Sequence, residues 1–546
     1  MKAPSCILGL VLAAGLTGDT RAVTYYIDAS TGNDASTPAQ AENPGTPWAS
    51  ITNALIHAAD GDVIEVMAGV YPAAIEIGVP LTLRGPNADI PWNGVRNPEA
   101  VLLPAAGKVM ITAFRTNNVS ICGFTFDGDN PAIGGGTAVN GADVNVTYGL
   151  ANTAAASATT PRVHVEHFTF RNNIVKNMNT VALSFANVGE ASPWNVVHGN
   201  LFTNVFFRGI SGGSNCYLDI QSNNLEMIQS AIYVGGSYTL ACAAGFHPTI
   251  SRNTIKLQST GRAGTYPAIW LNHWYQGMTY PITIQENIIE VGVPHPPLFC
   301  GIVVTSFTQG SAMSASNNVI RGNGAPGNGY YSWNNSVVAN VQFVGGTVSG
   351  ADSGVYVAWR DYIMGNYGNS YMGASCCTVD RLVLTNNAVG IVSSNSTPVV
   401  RNSLVADGRD GLSVVLGAPT FENCSVANNA DAGLRRLSGT PLVRNSILWG
   451  NGTDVVGDVT PSMFSYSDIG TGGYMENHCL SVDPHFQGPG YYNLSWSSPC
   501  RNAGIVVDAW MKGALDVAGN PRIHHTKVDI GAYELQGGDA SLIMLR

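Results

Sequence analysis

Residues 390–412 read GIVSSNSTPVVRNSLVADGRDGL, and residues 411–434 read GLSVVLGAPTFENCSVANNADAGL. Each segment begins with glycine and an apolar residue, passes through a polar stretch, and returns to glycine after 21 or 22 residues. The same two half-units recur upstream. One reads Gly/Ala, apolar, any, apolar: Ala231-Ile232-Tyr233-Val234, Ala268-Ile269-Trp270-Leu271, Gly301-Ile302-Val303-Val304 and Gly354-Val355-Tyr356-Val357. The other reads apolar, two residues, Asn, any, apolar: Phe170/Asn173/Val175, Val197/Asn200/Phe202, Ile220/Asn223/Leu225, Ile250/Asn253/Ile255, Ile284/Asn287/Ile289, Val399/Asn402/Leu404 and Leu442/Asn445/Ile447. Alternating faces between turn residues mark short strands. A strand pair at a near-fixed period marks a stack of one repeated unit. At roughly 3.3 Å per residue, such a repeat has a contour near ~70 Å, one turn of a wide coil. The expected fold is therefore all-β, a single-stranded right-handed parallel β-helix. Its Asn residues are expected to stack at one bend, each amide bonding the next coil.

Composition agrees. Charged residues make up 11 % of the 546 and glycines number 63, which suits a turn-rich β-chain and no long helix. The net charge of −10 argues against nucleic acid as a partner. Lys2, the apolar run 7–16 and Thr20-Arg21-Ala22 read as a secretory signal ending near Ala22. That run is too short to span a bilayer, and no membrane span is expected elsewhere. Export permits disulfides. Removing Cys6 leaves nine cysteines, so at least one thiol stays free. Cys479 with Cys500 is the first candidate pair and Cys216 with Cys242 the second, while Cys122 and Cys424 fall in coil strands as buried thiols. The expected divisions are a signal (1–22), an N-terminal strand and capping helix (23–60), the β-helix (61–455), a C-terminal module (456–535) and a tail (536–546). The helix is expected over 48–59, with Ile51, Leu55 and Ile56 on its buried side.

Tyr25-Tyr26-Ile27-Asp28, Gly32-Asn33-Asp34, Trp48-Ala49-Ser50-Ile51, Ala59-Asp60-Gly61-Asp62 and Gly69-Val70-Tyr71 resemble the amino-terminal motifs of secreted bacterial right-handed β-helix proteins. Asp483-Pro484-His485-Phe486, Tyr492-Asn493-Leu494, Ser498-Pro499-Cys500, Gly519-Asn520-Pro521-Arg522 and Val528-Asp529-Ile530-Gly531-Ala532-Tyr533-Glu534 resemble the choice-of-anchor Q carboxyl-terminal module. Similar chains include pectate, alginate and chondroitin lyases. The resemblance implies a secreted or surface protein whose partner is an extracellular polysaccharide, with a lyase or glycosidase activity in prospect. The alternative is a non-catalytic surface or matrix protein. A monomer is expected.

The repeats lengthen in the middle of the chain: Ala231 to Ala268 is 37 residues and Gly301 to Gly354 is 53. The excess collects in loops 186–194, 235–248, 272–281, 305–314 and 358–377. Insertions along one edge of a solenoid wall a groove, and loops on a rigid scaffold are where function sits. Aromatic residues crowd there. Tyr233, Trp270 and Tyr356 take outward strand positions, and His273, Trp274, Tyr275, Trp359, Arg360, Asp361 and Tyr362 lie in the loops. Rings along a groove suit the C–H faces of sugars, although rings that pin the loops down would read the same way.

A second row carries charge. Three residues after each ladder Asn stand Lys176, Thr203, Glu226, Lys256, Glu290 and Arg321. Lys256 as base, with Glu226 and Glu290 beside it, has the residue types of a β-eliminating site. Such a site commonly uses Ca2+ to neutralise the substrate carboxylate. Glu226 and Glu290, two coils apart, also fit the ~6.5–9.5 Å spacing of an inverting glycosidase. Opposite charges on neighbouring strands of a solvated face explain the row equally well. Asp483-Pro484-His485 matches a tripeptide of alginate epimerases, but its neighbours place it in the structural C-terminal module.

Overall fold

The computed structural model describes residues 22–104, 109–113, 116–151, 167–185, 195–213, 218–236, 249–273, 281–305, 312–333, 340–359, 376–471, 474–506 and 509–536. Within them, 41 strands join one sheet that winds on itself as a right-handed parallel β-helix. Every coil pairs in parallel with the next, and the register repeats the apolar positions faithfully. Ile220 faces Ile250, which faces Ile284, and the column runs on through Ala315, Phe343, Val379, Val400, Phe421 and Val443. These side chains are buried along the axis. The polar residues between them point outward, as a period of two requires.

The glycines of the repeat have a packing cause. A Cβ at Gly411 would lie 2.6 Å from the carbonyl oxygen of Gly433 and 2.3 Å from Val426 Cγ1. Gly329, Gly354 and Gly390 meet the next coil's carbonyl at the same 2.6 Å. A larger side chain would press on the next coil there, so the column holds glycine, with alanine at Ala231 and Ala268.

The asparagine ladder forms in the first half of the stack. Asn173, Asn200, Asn223, Asn253, Asn287 and Asn318 follow one another. From Asn200 on, each Oδ1 accepts from the backbone N–H and the Nδ2 of the preceding Asn at 2.9–3.3 Å. Each Nδ2 from Asn173 to Asn318 also donates to a strand carbonyl one coil back, as Asn253 does to Ile220 O at 3.0 Å.

Asn402 and Asn445 do not belong to this ladder, contrary to the template. Register aligns Ile250 with Val400, so the ladder position of that coil is Ser403. Ser403, Ser446 and Ser467 occupy it with hydroxyls that accept backbone N–H groups at 3.1 Å. Asn402 and Asn445 stand one residue earlier, at φ +47° and +50°, where Asn is favoured for tolerating the left-handed region. A second ladder, absent from the template, lines another bend: Asn429 Nδ2 donates to Asn451 Oδ1 at 2.9 Å, and Asn451 Nδ2 to Asp454 Oδ1 at 2.8 Å.

The N-terminal cap holds the expected helix, shortened to Ile51–His57. Ser50 caps it, and Asp34 accepts from the Ala49 and Ser50 N–H groups at 2.8 and 3.0 Å. Ile51 and Ala54 face the stack, but Ile56 is 73 % exposed, so the buried stripe is narrower than expected. Trp48 is fully buried, 4.9 Å from the Tyr25 ring and 5.1 Å from His57. Thr24–Ile27 already pairs with Asp62–Val66, so the stack begins before the helix.

At the other end the chain folds back over the last coils. The outward row that carries Lys176 to Arg321 becomes Ala406, Ala427 and Trp449 there. Tyr492, Leu494, Cys500 and Ile530 pack over this part of the stack in two apolar clusters. The expected Cys479–Cys500 disulfide is absent, and both are free thiols. Cys479 lies in the apolar core of the stack, whereas Cys500 lies in the outer cluster with Ile447 and Ile530. The Cys500 thiol donates to Asp468 Oδ2 at 3.1 Å. Cys122 and Cys424 are buried free thiols, as expected. Cys216 and Cys242 lie outside the described residues.

The C-terminal module is also where carboxyls are buried. Burial pushes Asp468 and Asp529 up, and pushes Glu534 up to about 8. For Glu534, desolvation outweighs the attraction of Arg522, 3.8 Å away. These three groups therefore bind more protons in the folded chain than in the unfolded one, and their contribution to stability falls as pH rises. The Glu534 contribution is complete below the ordinary glutamate value of 4.5 and is lost as pH passes through about 8. Thermal unfolding followed at pH 5 and pH 8 is expected to show the lower Tm at pH 8. Glu534→Gln should flatten that difference, and an unchanged slope in the variant would contradict the assignment.

Candidate functional site

The two outward rows named from sequence are both present. In the charged row, Asp127, Lys176, Thr203, Glu226, Lys256, Glu290 and Arg321 are successive register partners. Lys256 therefore stands between Glu226 and Glu290, as expected. Glu290, however, turns to Arg321 at 2.5 Å, and Lys176 pairs with Asp127 at 2.8 Å. Lys256 and Arg321 are exposed on an open face, where such pairs contribute at most about 1 kcal/mol. Among the described residues no group of three or more His, Cys, Asp or Glu is placed to hold a metal ion. Asp483 and His485 form a local turn: the His485 N–H donates to Asp483 Oδ1 at 2.8 Å, and the ring lies 3.3 Å from Ser497.

The aromatic row runs Ser211, Tyr233, Trp270, Val303, Tyr331, Tyr356 and Val392 in register. Its downstream half is a packed cluster. Val303 and Tyr331 are fully buried with Cys300 on the outer side of the sheet, and Trp270, Trp333 and Tyr356 pack against them half-buried. Tyr331 escaped the sequence pattern because its strand, Gly327–Trp333, reads Gly329-Tyr330-Tyr331-Ser332, with a polar residue where the signature has its second apolar one. Trp359 is half-buried, and its N–H donates to Ser394 O at 3.2 Å. The backbone of His273 pairs with Gly236. Trp274, Tyr275, Arg360, Asp361 and Tyr362, and most of the wall loops, lie outside the described residues.

The upstream half extends further than the sequence indicated. The Arg208 guanidinium lies 3.8 Å over the Tyr233 ring and 4.7 Å over Phe207, and Arg262 lies 4.4 Å over Phe207 and 5.5 Å over Phe206. Tyr233 meets Trp270 edge-on at 5.1 Å. Arg262, Phe207, Arg208, Tyr233 and Trp270 thus form one strip of alternating cations and rings, each half-buried. A register shift between Val205 and Arg208 in strand Leu201–Gly212 leaves Phe206 and Phe207 half-buried, with Phe206 packed against the core. Sequence reasoning missed Arg208 and Arg262 because they stand 54 positions apart in different coils.

No protein-family model and no curated protein matches the sequence. Among solved structures, the chain is similar to the catalytic domain of a GH87 alpha-1,3-glucanase in complex with tetrasaccharides. The identity is 12 %, covering 76 % of this chain and 66 % of that one, with a TM-score of 0.36. It is similar to the catalytic unit of a thermostable GH87 alpha-1,3-glucanase from Streptomyces thermodiastaticus strain HF3-3, at 13 % identity, 77 % and 64 % coverage and a TM-score of 0.33. Pectate lyase Pel9A aligns at 13 % identity over 95 % of this chain and 98 % of its own, with a TM-score of 0.19. The chain spans slightly less than two thirds of the glucanase units. The class of the molecule, a parallel β-helix, stands on its own strand register. No helix among the described residues is long and apolar enough to cross a membrane.

Proposed function

We propose that this chain is an exported polysaccharide-binding β-helix protein, with its C-terminal segment serving as the anchor-Q-like module. Its ligand lies along the strip from Arg262 to Trp270. The observation that carries this reading is the strip itself: rings half-buried in a row, with planar cations between them, on a rigid sheet. Sugar rings pack their C–H faces on such rings while hydroxyls reach the flanking donors. Cleavage by Lys256, Glu226 and Glu290 has less support, since those side chains occupy a different row from the rings and Glu290 is engaged by Arg321. A purely structural role for the aromatic row is favoured by one observation, the complete burial of Val303 and Tyr331. That burial concerns the downstream half. Trp270→Ala is expected to weaken glycan binding at least ~5-fold, about 1 kcal/mol for one aromatic contact, with Tm within a few degrees of the parent. Titration calorimetry reads the binding, and scanning calorimetry the Tm. A variant that unfolds, from a parent that binds no glycan, would make the rings packing residues only.

A further inference from the structure

We infer that a cleft on the bend ahead of strand Ser353–Ala358 is a second subsite, built for a neutral, hydroxyl-rich sugar ring. The inference rests on the glycan reading above and assigns its substrate class. The cleft has a volume of about 350 Å3 and opens to solvent. Four consecutive coils put small residues at this bend, and these line the recess: Gly324, Gly350, Ala351, Ala388 and Gly408. The same bend carries Arg262 ahead of strand Thr265–His273, so strip and cleft lie along one edge of the stack. Register steps from Trp270 through Val303 and Tyr331 to Tyr356. At ~4.8 Å per coil, that is a distance a short oligosaccharide covers.

The charged groups lining the cleft are of both signs and do not pair with one another. Asp407 accepts from Asn428 Nδ2 at 2.7 Å and from Tyr492 Oη of the C-terminal module at 2.5 Å. Both bonds reach Oδ1, which fixes the carboxylate and leaves Oδ2 without a partner among the described residues. Asp352 accepts the Gly327 N–H at Oδ2, 3.0 Å away, and its Oδ1 is likewise unengaged there. The Arg409 side chain is 58 % exposed, and the carboxylate it approaches, Asp410 at 3.9 Å, is already held by Arg435 at 3.1 and 2.7 Å. By contrast Arg84, Arg96, Arg321 and Arg401 each reach a carboxylate within 3.0 Å. A sugar ring satisfies this set. Its hydroxyls donate to the two carboxylates in charge-assisted bonds, and its oxygens accept from the guanidinium. A uronate or sulfate would bring its charge against two carboxylates with one arginine to offset them, so the cleft selects against it.

The test is binding of the intact chain to dextran, galactan and polygalacturonate at 20 and 200 mM salt. One neutral polymer is expected to bind at least tenfold tighter than polygalacturonate, with little change between the two salts. Ala388→Phe fills the cleft and should weaken that polymer at least tenfold. Arg409→Ala, at an exposed position, should weaken it at least threefold with Tm unchanged, which keeps the test valid if Ala388→Phe folds poorly. Trp270→Ala weakens it as well, since the polymer spans strip and cleft. Full binding by both cleft variants, with loss only in Trp270→Ala, would overturn the subsite and leave the strip in place. Tighter binding of polygalacturonate than of either neutral polymer would do the same. No binding of any polymer by the parent would overturn both readings.

Discussion

Arg522→Ala is expected to release the C-terminal module from the coils at a cost of about 3–5 kcal/mol, the scale for breaking a buried charged network. Arg522 is fully buried. Its Nη2 donates to the carbonyls of Asp529 at 2.9 Å and Gly531 at 2.5 Å. With the Asn423 amide turned so that its oxygen faces the guanidinium, it accepts from Nε at 3.1 Å and Nη2 at 2.7 Å. Asn423 belongs to a coil, so this one side chain joins module to stack. Around it, Asp529 accepts the Asn502 and Leu535 N–H groups at 2.6 and 2.7 Å, and Asp516 accepts that of Glu534 at 2.8 Å. Alanine would leave carbonyls and a carboxyl buried without their cation. Chemical denaturation followed by fluorescence of Trp496 and Trp510, together with far-ultraviolet dichroism, separates the two parts. The tryptophan transition should move to lower denaturant while the coil signal holds. A shift below about 1 kcal/mol would show that the module does not depend on this clasp.

The second large effect belongs to the ladder. Asn253→Ala should cost at least ~3 kcal/mol, because each buried polar group left unpaired costs about 1–3 kcal/mol. Four groups lose a partner: the Asn223 N–H and Nδ2, Ile220 O and Asn287 Oδ1. Asn402→Gly should change stability by less than ~1 kcal/mol, since glycine adopts the φ of +47° without strain. It loses only the bond from Nδ2 to Asp380 Oδ1 at 2.8 Å. Equilibrium unfolding of both variants checks the register. Comparable losses would mean that the two asparagines hold equivalent places after all.

That register difference shows what the sequence could convey. The coil period, the Gly column and the inward apolar rows were all legible, because side-chain alternation and close coil contact act on each residue separately. The ladder position was legible where Asn itself fills the stacking position behind the left-handed residue, as in Asn172-Asn173, Ser222-Asn223, Arg252-Asn253 and Glu286-Asn287. In later coils the stacking position is Ser403 or Ser446. The lone Asn there marks the left-handed residue, and two adjacent apolar residues, Val399-Val400, let the template slip by one. The cysteine pairing failed for a similar reason. Nearness in sequence could not tell that strand backbone separates Cys479, in the inner core, from Cys500, in the outer cluster. Of the candidate site, Tyr233 and Trp270 were legible as outward positions. The bulge that sets Phe206, Phe207 and Arg208 beside them is a backbone event with no signature of its own.

Hydroxyl-radical footprinting of the chain with and without a saturating bound polysaccharide tests the central claim most directly, because it reads side-chain cover residue by residue. The account predicts protection of Phe207, Tyr233 and Trp270, with Tyr331 unreactive in both states because it is buried, and with exposed rings such as Tyr491 and Trp496 unchanged. Protection confined to other faces of the stack, with Tyr233 and Trp270 equally reactive in both states, would contradict it.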